Sequence, residues 1–366
     1  MRLSGGNGAG AGEVYKRISG ERTVKMYYTC KEYYERKYDS VKREYAFMAK
    51  TKEEHESWRE AARKRLLEIT GMDQCVSAEA EAECRSRSQR DGYMEEYWLM
   101  QTEPGVYMPF YFLKPGDGTQ KGCPTVLNPH GHGGGKEKTF REAFAVQLVK
   151  SGYCVVCPDE RGSGERREQW QQGDEAEKLR MNSHREIQQM ILGFGQCMIG
   201  LAVWDLMRLL DAISTWDCVD MSRIACAGMS GGGQQTVWLT ALDDRIKAAI
   251  TSGYFYGFKD SLVSLPGNCA CNFVPNMWRT MDMGDMGAMI APRPLFVESG
   301  EKDHLEGARG LANVYPQMET ARSAYIIYGR ESDLVHSIHD GGHEWRGRGM
   351  MEFLEEKLTG RQAKIV

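Results

Sequence analysis

Ile224-Ala225-Cys226-Ala227-Gly228-Met229-Ser230-Gly231-Gly232-Gly233-Gln234-Gln235-Thr236-Val237-Trp238-Leu239-Thr240-Ala241-Leu242 is the stretch that decides how this chain folds. It reads as a short apolar strand, a Gly-x-Ser-x-Gly turn and an apolar helix. A serine on such a turn sits where the chain reverses so sharply that its neighbours on either side must lack a Cβ, which Gly228 and Gly232 supply. Its hydroxyl is then pushed clear of the sheet. The backbone N–H of Gly231, opening the helix, points at any oxyanion formed on a carbonyl under attack. The pattern predicts a serine nucleophile, although a glycine-rich connection between strand and helix would read the same way, so the order of the other elements has to decide.

Working outward, strands and helices alternate. Residues 93–101 and 106–114 form a hairpin around Glu103-Pro104-Gly105. Further strands are expected at 125–128, 153–157, 246–251, 294–298 and 324–328, with helices at 140–150 and 187–213, the latter carrying apolar residues at 187, 191, 194, 198 and 201. The expected fold is α/β, a mostly parallel sheet covered by helices on both faces. The first ~90 residues read as a glycine-rich flexible tail followed by a helical extension packed on the core. In it Tyr34, Tyr38, Val41 and Tyr45 recur at helical spacing, and Thr51 with Glu54 makes a capping box before a helix that buries Trp58, Ala62, Leu66 and Ile69 and stops at Gly71. The catalytic domain is therefore expected over 91–366, and the charged stretch 162–185 as an insertion over the carboxyl edge of the sheet.

In open α/β sheets, ligands bind beyond the carboxyl ends of the strands. After 294–298 comes Ser299-Gly300-Glu301-Lys302-Asp303, and the loop before the final helix holds Asp340-Gly341-Gly342-His343-Glu344-Trp345. The chain order is Ser, Asp, His, as in the α/β-hydrolase fold. A serine hydroxyl is a poor nucleophile until an imidazole takes its proton, and a buried carboxylate must hold that imidazole in the right tautomer. The residues are assigned as Ser230 the nucleophile, His343 the base and Asp303 the orienting acid. Glu301 and Glu298 are the substitutes for Asp303, and His336 and His339 compete with His343. The remaining half of the oxyanion hole is expected from Asn128-Pro129-His130-Gly131-His132-Gly133-Gly134-Gly135, with the amide of His132 joining that of Gly231.

Rival chemistries are weaker. His130-x-His132 could open a zinc site with His184, Asp303 and His343, but this leaves the Ser230 turn without a purpose. Gly133-Gly134-Gly135-Lys136 lacks the earlier glycine of a phosphate loop, since position 130 is His. Cys154 and Cys157 fall in a strand, where residues three apart face opposite ways. Cys269 and Cys271 lie in a loop without a second close pair to complete four ligands, so no metal and no cofactor is expected.

The 366 residues carry a net charge of −4 with 41% apolar content, which argues against a nucleic-acid partner. No apolar run reaches the ~20 residues of a membrane span, and the amino terminus lacks an export signal. Eleven scattered cysteines fit a reducing cytoplasm better than a disulfide framework.

His130-Gly131-His132-Gly133-Gly134, Asp159-Glu160-Arg161-Gly162-Ser163-Gly164, Gly228-Met229-Ser230-Gly231-Gly232, Ala291-Pro292-Arg293-Pro294, Ser299-Gly300-Glu301-Lys302-Asp303 and Gly342-His343-Glu344 together resemble the α/β-hydrolase superfamily. Within it they look like the acetylxylan esterase and cephalosporin-C deacetylase branch. That branch has Arg-Gly-Gln where this chain has Arg161-Gly162-Ser163, and Gly-x-Ser-Gln-Gly where it has Gly228-Met229-Ser230-Gly231-Gly232. The resemblance covers residues 90–360 and implies deacetylation of short carbohydrate esters, such as acetylated xylo-oligosaccharides, by a Ser-His-Asp enzyme without a cofactor. It also implies that Arg161 ties its loop to the core, with contact to substrate as the alternative role. A serine amidase or peptidase using the same residues, and a binding protein that keeps the fold without the activity, are the alternatives. Acyl group, leaving group and oligomeric state, a homo-oligomer included, are left open by the sequence. Trp170, Tyr254, Phe255, Tyr256 and Trp278 are expected to be packing residues more often than sugar platforms.

Overall fold

The apolar runs flanking the Ser230 turn are strands, and they lie side by side. The computed structural model describes residues 28–137, 144–168, 182–265 and 267–360. Its strands are β1 (Ala82–Arg90), β2 (Tyr93–Glu103), β3 (Val106–Pro115), β4 (Cys123–Leu127), β5 (Cys154–Pro158), β6 (Val219–Met229), β7 (Ala248–Ser252), β8 (Leu295–Gly300) and β9 (Leu334–His339). The main helices are α1 (Lys31–Ser40), α2 (Lys52–Thr70), α3 (Phe144–Lys150), α4 (His184–Leu192), α5 (Met198–Ile213), α6 (Gly231–Leu242), α7 (Met283–Ile290), α8 (Leu311–Tyr328) and α9 (Met350–Leu354).

All nine strands form one sheet in the order β1-β2-β3-β5-β4-β6-β7-β8-β9. The first three and β5 pair antiparallel, whereas β5, β4, β6, β7, β8 and β9 run parallel. Side chains on the central strands alternate between two cores. Leu127, Cys154 and Cys226 face one that α2, α5, α6, α7 and α8 cover. Val126, Val155, Cys157 and Ala225 face the other, covered by α3 and α9. Cys154 and Cys157 thus point to opposite sides, as residues three apart in a strand must. Helices on both faces are what a parallel sheet requires, and they leave one edge, at the carboxyl ends of β4 to β9, free for loops.

The amino-terminal part supports this body. Thr51 Oγ1 accepts from the Glu54 N–H at 3.2 Å, and Gly71 closes α2 in the left-handed region at φ 68°. Ala62, Leu66 and Ile69 are buried from α2, and fully covering one leucine stabilises on the order of 2 kcal/mol. The tail before residue 28 lies outside the described residues.

Several expected elements differ. The region before residue 91 is not wholly helical, because β1 pairs with β2 from Ala82↔Met100 to Arg90↔Tyr93 as the edge of the sheet. Its side chains are mostly polar and exposed, so no hydrophobic alternation announced it. α1 stops at Ser40, and Tyr45 then bonds through its N–H to Thr280 O at 2.9 Å, so Tyr34, Tyr38, Val41 and Tyr45 do not share one helix. The single helix expected over 187–213 is broken between Leu192 and Met198, where Gly195 takes φ 78° and Phe194 is 71% exposed. Residues 324–328 are the last turn of α8, not a strand. Ala321, Ala324 and Tyr325 are buried while Ile326 faces solvent, a helical period, and the strand is β9 instead. Residues 140–143 and 169–181 lie outside the described residues.

Candidate active site

β6 delivers Ser230 directly onto α6. Ser230 adopts φ 57° and ψ −118°, and with Asn276 it is one of two non-glycine residues at positive φ among those described. Such strain persists where the surroundings enforce it. Here the enforcement is steric, since a Cβ on Gly228 would overlap the backbone of Gly232, and one on Gly232 would meet the Pro129 carbonyl. The Ser230 N–H donates to Ser252 O at 2.8 Å, which anchors the turn to the end of β7, and the Ser230 hydroxyl does not cap α6. The first N–H groups of a helix have no partner within it, so Gly231 opens a donor-rich edge beside the serine.

The loops after β8 and β9 bring an acid and a base to the same place. His343 Nδ1 lies 2.7 Å from Asp303 Oδ2, with Asp303 4% exposed. Both side chains sit over Gly253, where an added Cβ would be 2.9 Å from His343 Cε1 and 3.4 Å from Asp303 Oδ2. Gly253 follows Ser252, the residue that holds the Ser230 amide, so the three assigned residues surround one short segment of backbone. Asp303 also accepts from the Leu305 N–H at 2.9 Å, which fixes its other oxygen.

The competing residues are occupied elsewhere. Glu298 is buried and accepts from Ser252 Oγ at 2.8 Å, Arg346 N at 3.0 Å and Gly347 N at 2.6 Å. It fastens the segment after His343 to β7, a role the sequence did not signal. Glu301 is exposed. His336 Nε2 lies 3.2 Å from Ser299 Oγ, and burial, aided by the Arg322 charge, pushes the ring down to about 4. His339 Nδ1 accepts from the Gly341 N–H at 3.1 Å. Beside Asp303, burial and then the Asp303 charge raise the Glu306 carboxyl to about 8.

The segment after β4 packs against the Ser230 turn. His132 lays its ring over Gly231, where an added Cβ would be 2.9 Å from His132 Cε1. His130 turns away: Nδ1 lies 2.8 Å from Gly131 O, and Nε2 accepts from the Glu160 N–H at 3.1 Å. His130 and His132 therefore do not converge as a pair of metal ligands. Lys136 is buried against Asp159 at 2.8 Å and also pairs with Glu165, so its ammonium group is committed to two carboxylates. Arg161 grips Asp205 through Nε at 2.9 Å and Nη2 at 2.7 Å and reaches Glu103 at 2.7 Å, so it ties the loop after β5 to α5 and β2.

His132 instead meets Cys271, Nε2 to Sγ, at 3.1 Å, and His184 Nδ1 lies 3.3 Å from Cys269 Sγ. The sequence showed no second close pair to join Cys269 and Cys271, because these histidines come from two distant loops. Tyr254, Phe255 and Tyr256 are buried in the core, and Trp278 packs on Tyr38 and Phe258, as packing residues do.

This fold and this serine turn define an α/β-hydrolase. The chain belongs to the Abhydrolase family, whose model matches residues 11–307. It is 28% identical over 243 residues to YtaP of Bacillus subtilis (strain 168), a candidate hydrolase, covering 63% of this chain and 77% of that protein. Among solved structures it is similar to BF1801 of Bacteroides fragilis NCTC 9343, a candidate acetyl xylan esterase, with TM-score 0.72, 22% identity and coverage of 86% and 83% of the two chains. It is also similar to a carbohydrate esterase family 15 glucuronoyl esterase from Caldicellulosiruptor kristjansonii, with TM-score 0.59, 15% identity and coverage of 88% and 90%.

Proposed function

We propose that the protein is a serine carboxylesterase acting on small acyl esters of carbohydrates, acetyl esters in the first place. The observation that carries this reading is the His343–Asp303 pair at 2.7 Å beside a strained serine turn. Ser230 Oγ attacks the ester carbonyl while His343 takes its proton. The tetrahedral oxyanion is held by the amides of Gly231 and His132, and its collapse expels the sugar alcohol, protonated by His343. Water, activated by the same imidazole, then releases the acid and restores Ser230. Two fold relatives named as esterases of carbohydrates support the substrate class.

Every cysteine among the described residues is unpaired, which supports action in a reducing compartment such as the cytoplasm. No helix of the described residues is long and apolar enough to cross a membrane.

The test is a fluorophosphonate probe followed by peptide mass spectrometry, beside acetate release from p-nitrophenyl acetate and from acetylated xylo-oligosaccharides. An adduct on Ser230, with both activities lost in Ser230→Ala, is the expected result. Turnover of amides but not of esters, or labelling elsewhere, would replace the assignment.

A further inference from the structure

Four potential metal ligands converge next to the candidate active site without being part of its proton relay. The ligand atoms of His132, His184, Cys269 and Cys271 all lie within 4.8 Å of one another, with His184 and Cys271 buried and the other two half-buried. They come from three separate segments: the loop after β4, the start of α4 and the short turn Ala270–Asn272 before α7. We propose that these residues form a closed Cys₂His₂ site for a zinc-class divalent cation, which clamps the His132 loop in place beside Gly231.

The dimensions fit. With Zn–S near 2.3 Å and Zn–N near 2.0 Å, a tetrahedral ion sets nitrogen and sulfur about 3.5 Å apart. The two nitrogen–sulfur distances are 3.1 and 3.3 Å, within a few tenths of an ångström of that, and small side-chain adjustments bring all four atoms onto the ion. Two imidazoles on such an ion hold their ring centres about 5 Å apart, and those of His132 and His184 are 5.5 Å apart at 73°. Two sulfurs and two imidazole nitrogens favour zinc over the hard cations, and four protein ligands leave no open position. The ion therefore holds structure; it does not activate water.

A second feature is built for the same purpose. His184 presents Nδ1 to Cys269, and its other nitrogen, Nε2, lies 3.1 Å from Ser163 Oγ and 3.5 Å from Glu160 Oε2. That Glu160 oxygen is buried and has no hydrogen-bond partner. A carboxylate behind a metal-bound imidazole fixes its tautomer and strengthens it as a ligand. Binding consumes two neutral imidazoles and two thiols, and both thiol protons are released to solvent as the sulfur–metal bonds form. Without an ion, Cys271 is left as a thiol facing Gln234 Oε1 at 3.2 Å.

The location of the ion next to a functional loop rests on the esterase reading, but its binding does not. The experiment uses the full chain, tag removed, purified without chelator and reconstituted with zinc or with cobalt. Expected are about one zinc per chain by elemental mass spectrometry, and two thiols that resist a thiol reagent until a chelator is added. The cobalt form should show a thiolate-to-cobalt charge-transfer band and the strong visible bands of a tetrahedral ion. Glu160→Gln should weaken zinc roughly 10–100-fold, and Ser230→Ala should retain it in full. No stoichiometric zinc, no thiolate–cobalt band and free thiols throughout would overturn the site, whether or not esters are hydrolysed. Zinc held by a protein that hydrolyses no ester would leave the site standing and remove the esterase reading.

Discussion

Asp303 and His343 meet through a single 2.7 Å contact, Oδ2 to Nδ1, across the gap between the loops that follow β8 and β9. In the mechanism we propose, this contact leaves the other ring nitrogen of His343 to serve the serine and stabilises the imidazolium formed during attack. Asp303→Asn keeps the shape of the pair but removes the charge that selects the tautomer. We expect kcat for p-nitrophenyl acetate to fall by roughly 10³–10⁴-fold with an unchanged unfolding midpoint. A loss below tenfold would transfer the orienting role to another acid.

The serine turn was legible because its constraint is local. Gly228, Ser230 and Gly232 lie within one turn, and the overlap that excludes a Cβ at 228 involves only neighbours. That Asp303 and His343 lie together was also readable, because both sit on loops at the carboxyl edge of the sheet, after the neighbouring strands β8 and β9. What stayed hidden depends on contacts distant in sequence. β1 has no apolar alternation and exists as a strand because β2 offers it an edge. Residues 324–328 carry an unbroken apolar-aromatic run that suits strand or buried helix equally, and only the packing of Ala321, Ala324 and Tyr325 decides. The meeting of His132 and His184 with Cys269 and Cys271 spans more than a hundred residues of chain, so no spacing rule finds it.

The Glu306 carboxyl predicts a stability profile that falls with pH. Burial and then the Asp303 charge raise it to about 8, from an ordinary value of 4.5. The fold favours its neutral form, so the stabilisation is complete below about pH 4.5 and is lost as pH rises through about 8. Glu306→Gln mimics the neutral acid and should remove that slope. Urea unfolding of both proteins at intervals from pH 5 to 9 should show the variant gaining on the parent up to about pH 8 and running parallel to it above. Parallel curves would mean that Glu306 ionises normally.

Gly232 predicts a steric lesion at the turn. A methyl group there meets the Pro129 carbonyl, so Gly232→Ala must push the segment after β4 away from α6. The cost is expected at about 1–3 kcal/mol in urea unfolding. Because the same shift separates His132 from Gly231, ester turnover should fall further than a stability loss of that size explains. Unchanged activity in a destabilised protein would show that the His132 loop contributes no donor to the oxyanion.

Asp205 predicts how the molecule responds to acid. Burial alone would raise its carboxyl, but the Arg161 and Arg166 guanidinium groups outweigh that and hold it at about 2, below the ordinary 3.8. Arg161 contacts it through two nitrogens, and Arg166 Nη1 lies 2.8 Å from Oδ2. The fold favours the ionised form, so this stabilisation is present above about pH 4 and is lost as pH falls through about 2. Asp205→Asn removes it at every pH and leaves two buried cations short of a counter-charge, a cost of about 3–5 kcal/mol at pH 7. The gap in unfolding free energy between parent and variant should be constant from pH 7 to 5 and narrow between pH 4 and 2. A gap that stays constant to pH 2 would show that Asp205 supports α5 through packing and neutral hydrogen bonds, and that Arg161 anchors its loop through Glu103 instead.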